Sequence, residues 1–139
     1  MAYTHPILVR FDHVDFARVI YYPRFFDYTH QTFEDFFADE VKVPYATMLT
    51  QHKVGFPIVH ADADFKAPLR FGEIARVVME TLEVGAKSLR CRHRIYRGDT
   101  AELCAELNVV SAAIDMDAFK GRAVPDPVRV AFERHRALD

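Results

Sequence analysis

The chain has 139 residues, of which half are hydrophobic and 27% are charged, with a formal net charge of −2. This length and balance are typical of one soluble globular domain with a sizeable core, and they argue against extensive disorder. Nucleic-acid partners and anionic membrane surfaces are not expected, because both require a strongly basic face and the two signs of charge are mixed along this chain.

The cysteines and the N-terminal segment bear on where the protein works. Cys91 and Cys104 are the two cysteines, and they form no C-x-x-C pair. A disulfide framework or a zinc site is therefore not expected. The opening segment, MAYTHPILVRF, lacks the basic region and the long apolar run of a signal peptide. We therefore expect a cytoplasmic protein.

The first third of the chain predicts one strand and two helices. Alternation over Ile7 to Phe11 is typical of a short strand. Pro23 suits the first turn of a helix, because proline lacks only an N–H that has no partner there. Phenylalanines then recur near helical spacing up to about Glu40. Pro44 opens a second, short helix that ends near His52.

The rest of the chain predicts four long strands and a final helix. Alternating or β-branched residues fill Ile58 to Phe65, Ile74 to Val84, Ser88 to Tyr96 and Ala101 to Ile114. Mostly short, glycine-containing connections make these strands antiparallel neighbours. Asp126 can cap a C-terminal helix, with Pro127 at its first position.

Together these elements predict one α+β domain over residues 1–139, with its C-terminal helix starting near residue 126. One long amphipathic helix would cover one face of a curved antiparallel sheet. We find no internal repeat, linker or low-complexity tract that divides the chain.

The segment VRFDHVDFARVIYYPRFFDY, residues 9–28, places acidic residues just before the predicted helix start. A helix N-terminus offers unpaired N–H groups that can bind a phosphate, or a carbonyl oxygen that becomes negative during reaction. Asp15 lies seven residues before Tyr22. It could attack the same carbonyl directly or activate a water against it. On residue types alone, solvated loop aspartates remain the simpler interpretation.

Four segments, in order, resemble hotdog-fold thioesterases of the 4-hydroxybenzoyl-CoA thioesterase type. They are FDHVDFARVIYYPRFF, DADFKAPLRFGEI, GAKSL and GRAVPDPVR, and the resemblance covers nearly the whole chain. It implies a hotdog fold, in which a curved antiparallel sheet of about five strands wraps one long helix.

The resemblance also implies a reaction and a site. The reaction is hydrolysis of an acyl-CoA thioester to the free acid and CoA. Asp15 falls on the family's catalytic aspartate and would act as nucleophile or general base. The backbone N–H of Tyr22 would be the oxyanion donor, and Tyr21 and Pro23 belong to the run of aromatic residues and proline beside the substrate.

The resemblance further implies a homodimer or homotetramer, with each site at a dimer interface. An exposed sheet edge is a liability unless it is paired, which favours the same assembly. Lys87 and Ser88, in the GAKSL hairpin, are candidates for binding the CoA phosphates. No metal or other cofactor is expected, because the family's reaction needs none.

Two positions depart from the family pattern. His13 stands where many members have the first acid of an Asp-x-Asp pair, and Arg18 stands where many have a glycine. Glycine there would permit a positive φ or a close approach of the substrate, so Arg18 makes the shape of this loop the feature to test. Arg18 could instead bind an anionic group of the substrate.

Three further residues are candidates. His60, on the predicted strand 58–65, could line the acyl pocket or contact the helix. Asp27 and Glu34 are reserve acids, because another branch of hotdog thioesterases uses an acid from the helix.

Two other functions stay open at this point. One is a thioesterase for acyl carrier protein, which a basic surface near the site entrance would favour because carrier proteins are acidic. The other is a non-catalytic acyl-CoA-binding module, which would be expected to lose Asp15. The sequence leaves open the acyl group, dimer versus tetramer, and nucleophile versus general base.

Overall fold

The computed structural model describes residues 1–138. In chain order the elements are β1 (Tyr3–Leu8), a 3-10 turn (Phe11–His13), α1 (Arg24–Phe36), a π-helical turn (Phe37–Val41), α2 (Tyr45–Thr50), β2 (Val54–Gly55), β3 (Ile58–Phe65), β4 (Ile74–Val84), β5 (Ser88–Arg97), β6 (Leu103–Ala112), β7 (Ile114–Asp115), β8 (Lys120–Gly121) and α3 (Asp126–Arg134).

Five strands form one antiparallel sheet in the order β1–β4–β5–β6–β3. The β4–β5–β6 meander is its centre, and β1 and β3 are its edges. A small second sheet contains β2, β7 and β8. The predicted α+β class, with about five antiparallel strands and one long helix, is confirmed.

The long helix α1 begins directly after Pro23, which has the helical φ of −63°. Its buried residues recur every three or four positions and pack against the sheet; they are Phe25, Tyr28, Thr29, Thr32, Phe33 and Phe36. A π-helical turn extends it to Val41, and Lys42 ends it in the left-handed conformation, at φ 68°. The predicted end near Glu40 therefore falls in the π-helical turn.

Two buried clusters form the core. The first joins the C-terminal half of α1 to α3 through phenylalanines, with the Phe36 and Phe132 ring centroids 4.4 Å apart. The second lies under the start of α1 and includes Val9, Tyr28 and Leu107. Burial of such side chains is the main favourable term in folding, so both ends of α1 are held firmly on the sheet.

Three boundaries differ from the sequence-based expectation. The first strand spans residues 3–8, earlier than predicted, and includes Pro6, which an edge strand tolerates because its N–H would face outward. The stretch predicted as one strand over 101–114 splits at Ala113, whose N–H donates to Lys87 O at 2.8 Å. Asp126 is the first residue of α3, and Pro125 occupies the cap position.

Both cysteines are free and buried. Among the helices of the described chain, none combines the length and the apolar character needed to span a membrane.

Candidate active site

Asp15 lies in a closed loop immediately before α1. Val14 and Ile20 pair as an antiparallel bridge at its base, and the Asp15 N–H donates to Val19 O at 3.0 Å. One carboxylate oxygen of Asp15 accepts a hydrogen bond from the Ala17 N–H at 2.8 Å. The loop therefore orients the side chain while leaving it exposed to solvent.

The loop turns at Arg18, which has a φ of 69°. This is the left-handed region that glycine adopts at no steric cost and other residues avoid. The Arg18 N–H donates to Asp15 O at 2.9 Å, and the side chain is exposed. The positive φ that a glycine would permit is thus present, carried by an arginine.

The Tyr22 N–H is the unpaired backbone donor at the start of α1. Pro23 has no N–H, the Tyr21 N–H donates to His13 O at 2.9 Å, and the Arg24 N–H donates to Tyr21 O at 2.8 Å. Within residues 1–138 the Tyr22 N–H has no acceptor. It therefore lies at the positive end of the helix dipole with its donor available.

An open cavity of about 320 Å³ lies beside this donor, and we call it the α1-start cavity. It is lined by Ile20, Tyr22, Phe25, Phe65, Lys66, Ala67 and Pro68. The Tyr22 and Phe65 ring centroids are 5.8 Å apart, and the Tyr21 and Tyr22 ring centroids are 5.5 Å apart. Its volume lies in the range of small-molecule sites.

An ion pair that sequence reasoning missed holds the wall of this cavity. The Arg97 guanidinium donates to Glu73 Oε1 and to Pro68 O, both at 2.6 Å. Although burial opposes ionisation, the bond from Arg97 leaves the pKa of Glu73 below its ordinary value. The Ile20 N–H donates to Leu69 O at 2.7 Å, which ties the Asp15 loop to the same wall.

His13 joins the Asp15 loop to the body of α1. Its Nδ1 lies 2.8 Å from the Tyr28 hydroxyl and 3.1 Å from the Arg10 N–H. Tyr28 is fully buried, and burial raises the pKa of its hydroxyl to about 12, so that it stays protonated. The residue that replaces the family acid thus makes a structural contact.

His60 lies on the face of β3 that points away from α1. Its Nε2 is 3.3 Å from Asp62 Oδ2, and the Asn108 side chain donates to the same carboxylate at 3.1 Å. Ala61 and Ala63, on the alternate positions, face the α1 side. In the single chain His60 therefore does not contact the helix, because neighbouring strand residues point to opposite faces, and its place in the acyl pocket stays a prediction.

Lys87 is the last residue of the turn between β4 and β5, and Ser88 is the first residue of β5, at the far end of the sheet. Phe65, beside Tyr22, is level with Ile95 across β6. From Ile95 to Ser88 the strand runs about 23 Å, at about 3.3 Å per residue. A single chain therefore does not bring this hairpin to the Tyr22 N–H.

The reserve acids lie on the outer side of α1. Asp27 Oδ2 is 3.2 Å from an Arg24 guanidinium nitrogen, and Glu34 is 3.9 Å from His30. Both are exposed. In the described part of the chain, no group of three or more histidine, cysteine or acidic side chains is arranged to hold a metal ion.

A second cavity, of about 90 Å³, lies between α1 and the sheet, and we call it the inner cavity. Its walls are mainly apolar, from Phe26 and Phe33 of α1 and from Ala61 and Val109 of the sheet. His93 also lines it. The sequence could have indicated that His93 is buried, because it occupies an apolar position of an alternating strand.

Comparison with known proteins shows which family has this architecture. Residues 9–132 match the Thioesterase-like superfamily. The 1,4-dihydroxy-2-naphthoyl-CoA hydrolase of Synechocystis sp. is 24% identical, over 94% of this chain and 94% of its own length. The enzyme of the same name from Nostoc punctiforme is 23% identical, over 98% and 90%.

Solved structures agree on the fold. The crystal structure of a 1,4-dihydroxy-2-naphthoyl-CoA thioesterase from Synechocystis has a TM-score of 0.87 at 23% identity, covering 95% of this chain and 96% of that one. The structure of a gentisyl-coenzyme A thioesterase has a TM-score of 0.83 at 26% identity, covering 94% and 99%. The predicted hotdog fold and thioester hydrolase class are thereby confirmed, and the chain belongs to the thioesterase-like superfamily.

Proposed function

We propose that this protein hydrolyses an acyl-CoA thioester, with Asp15 and the Tyr22 N–H acting on the same carbonyl group. The observation that carries the proposal is the unpaired Tyr22 N–H, at a helix start and beside an open cavity. An exposed carboxylate is held in the adjoining loop. The named activities of the relatives, which are CoA hydrolases and thioesterases, support CoA as the leaving group.

The Tyr22 N–H would stabilise the oxyanion. As the carbonyl carbon becomes tetrahedral, negative charge grows on its oxygen, and a donor already fixed at a helix N-terminus stabilises that charge without reorganising. Loss of one such donor typically raises the barrier by about 3–4 kcal/mol. Because this donor belongs to the backbone, it stays in place in side-chain variants of the site.

Asp15 would supply the nucleophile or the base. In the first route its carboxylate attacks the carbonyl carbon, CoA leaves as the thiolate, and water hydrolyses the resulting anhydride. In the second route the carboxylate takes a proton from a water that attacks the same carbon, and the C–S bond then breaks so that CoA leaves as the thiolate. Both routes need the ionised side chain, which the Ala17 N–H orients at 2.8 Å.

Assembly through β3 would complete the site. Its residues Ile58, Val59 and Phe65 are 48%, 62% and 47% exposed at an open sheet edge. If β3 pairs antiparallel with β3 of a second copy, the two sheets are related by a two-fold axis and their strands run in opposite directions. The Lys87–Ser88 hairpin of one copy would then approach the α1 start of the other and bind the CoA phosphates there.

The test is thiol release from a panel of aromatic and aliphatic acyl-CoAs. Asp15→Asn is expected to lower kcat at least about 100-fold, the usual contribution of a positioned base, with an unchanged melting temperature. Asp12→Asn is the matched control, because Asp12 is an exposed carboxylate of the same segment, and it should retain activity.

Two outcomes would contradict the proposal. Full activity of Asp15→Asn would make Asp15 a structural loop residue and turn attention to Asp27 or Glu34. If the wild-type protein binds CoA esters and cleaves none of them, the fold serves as a binding module.

A further inference from the structure

His93 is a buried polar group that the proposed chemistry does not use. Its side chain is 1% exposed, and neither ring nitrogen has a hydrogen-bond partner within residues 1–138. The Leu107 backbone interacts with the ring, but outside hydrogen-bond geometry. Buried polar groups are almost always hydrogen-bonded, and an unpartnered one lowers stability. An unpaired imidazole that lines a cavity therefore indicates a ligand partner.

The protonation state of His93 defines what that partner must be. Burial lowers the pKa of His93 to about 4, so the ring is neutral at pH 7. A neutral imidazole has one donor nitrogen and one acceptor nitrogen. A hydroxyl group can both accept and donate, whereas a carboxylate would be buried without a counter-charge, at a large loss of solvation energy.

The inner cavity lies further along α1 and β5 than the α1-start cavity, and the two have no lining residue in common. Along α1, Tyr22 borders the first cavity and Phe26 borders the second, one turn or about 6 Å further on. Along β5, His93 lies two residues from Ile95, which is level with Phe65 of the first cavity. We therefore expect an aromatic acyl group whose carbonyl binds the Tyr22 N–H to extend along α1 toward His93.

The volume and the lining residues of the inner cavity further limit which acyl groups fit it. A cavity of about 150 Å³ holds a benzene molecule, so about 90 Å³ accommodates the distal part of one ring. Phe26 and Phe33 offer aromatic walls. His30 and Ile58 are about half exposed at its rim, which leaves the cavity open on that side for the rest of the group.

We infer that His93 determines acyl-group specificity by hydrogen bonding to a ring hydroxyl of an aromatic acyl group bound between α1 and the sheet. This inference rests on the proposed function, because it concerns the acyl half of the same substrate. His93 lies away from the reacting carbonyl, so its role is to select the substrate.

The first experiment compares thioesters that differ by one hydroxyl: benzoyl-, 3-hydroxybenzoyl- and 4-hydroxybenzoyl-CoA. The wild type should favour a hydroxylated member by about 100-fold or more in kcat/KM, because sites built to bind a hydroxyl strongly reject analogues that lack it. His93→Leu should reduce this ratio at least about tenfold. His93→Gln, which also has a donor and an acceptor, should retain part of it.

The matched control is Met79→Leu. Met79 is fully buried and pairs with His93 across β4 and β5, but it does not line the inner cavity. In Met79→Leu, the ratio of kcat/KM for the hydroxylated thioester to kcat/KM for benzoyl-CoA should equal that of the wild type. Because a ratio does not depend on the amount of folded enzyme, partial unfolding of a variant leaves this readout intact.

The second experiment needs no hydrolysis. In Asp15→Asn, 4-hydroxybenzoate or 3-hydroxybenzoate should shift the ¹⁵N signals of the His93 ring, and benzoate should shift them much less. If the wild type cleaves thioesters with the same ratio as His93→Leu, the inference is overturned and the proposed function stands. If no thioester is cleaved but a hydroxybenzoate shifts the ring signals, hydrolysis fails and the binding inference stands.

Discussion

His93 lies in the apolar layer between α1 and the sheet, and the fold accommodates its neutral form. Burial lowers its pKa to about 4 from an ordinary value of 6.5. Between these pH values the unfolded chain binds a proton at this position and the native protein does not. The contribution of His93 to the free energy of unfolding therefore has its full value above pH 6.5. It decreases as the pH falls toward 4.

We predict that in His93→Leu the free energy of unfolding decreases less with falling pH than in the wild type. For the wild type, the shift corresponds to roughly 3 kcal/mol of unfolding free energy lost between pH 7 and pH below 4. At pH 7 the variant should be more stable by about 1 kcal/mol or more, since an unpartnered buried polar group is removed. Urea denaturation at several pH values measures both effects.

Acidic groups elsewhere contribute equally to the two proteins, so the difference between their pH profiles isolates His93. Met79→Leu serves as the control and should follow the wild-type profile. Parallel profiles for wild type and His93→Leu would contradict the prediction.

At the residue scale, the sequence suggests candidates from local patterns, and it does not reveal contacts that depend on tertiary packing. Asp15 and Tyr22 stand out because a helix start and a nearby acid are readable in the chain order. In the sequence, His93 is one more residue of an alternating strand. Its ring nitrogens lack hydrogen-bond partners only because α1 packs over the sheet, and the sequence does not show this. His60 shares its strand face with Asp62 and Asp64, and that polar set already indicated the solvent side.

The Asp15 loop is the element in which backbone shape and sequence conflict. Arg18 holds a φ of 69°, which is about 1 kcal/mol or more unfavourable for a residue with a Cβ. We predict that Arg18→Gly raises the unfolding free energy by about 1 kcal/mol, measured by urea denaturation. Ala17→Gly, in the same loop without a positive φ, should instead lower it.

The kinetics of Arg18→Gly separate the two roles of this residue. An unchanged KM would mean that Arg18 serves the loop alone. A raised KM would show that its side chain also binds an anionic group of the substrate. A loss of stability in Arg18→Gly would contradict the assignment of strain to this position.

Element boundaries show what the sequence pattern could not specify. The existence and type of β3 to β6 follow from alternation in the sequence. In β4 and β5 this alternation corresponds to one buried and one more exposed sheet face, whereas the edge strand β3 buries none of its residues completely. The early start of β1 depends on its edge position, which makes Pro6 acceptable. The break at Ala113 depends on its hydrogen bond to Lys87, a contact between segments distant in the chain.

Across the whole molecule, the two sheet edges differ. β1 carries Pro6 and buries Tyr3 and Ile7, so this edge is poorly suited to pairing. β3 is open, lacks proline and exposes large apolar side chains at both ends. Chain order alone predicts antiparallel strands but does not reveal which edge stays open. The structure identifies β3 as the edge suited to assembly, near the α1-start cavity.

We predict that the protein is an oligomer paired through β3 and that Val59→Lys disrupts it. Val59 is 62% exposed on this edge, and lysine on an edge strand opposes edge-to-edge pairing. Light scattering after size exclusion should give twice or four times the 16.0 kDa chain mass for the wild type, and mainly monomer for the variant. Acyl-CoA hydrolysis should fall in parallel if, as we propose, the CoA-binding hairpin comes from the second copy.

Val130→Lys is the matched control for this prediction. Val130 is an exposed valine on α3, 55% accessible and far from β3 in the chain, so its replacement should change neither mass nor activity. A wild-type monomer with full activity would contradict pairing as a requirement of the site. A Val59→Lys variant that remains oligomeric would move the interface to another surface. Activity that falls with dilution of the wild type, in step with its mass, would tie hydrolysis directly to the paired form.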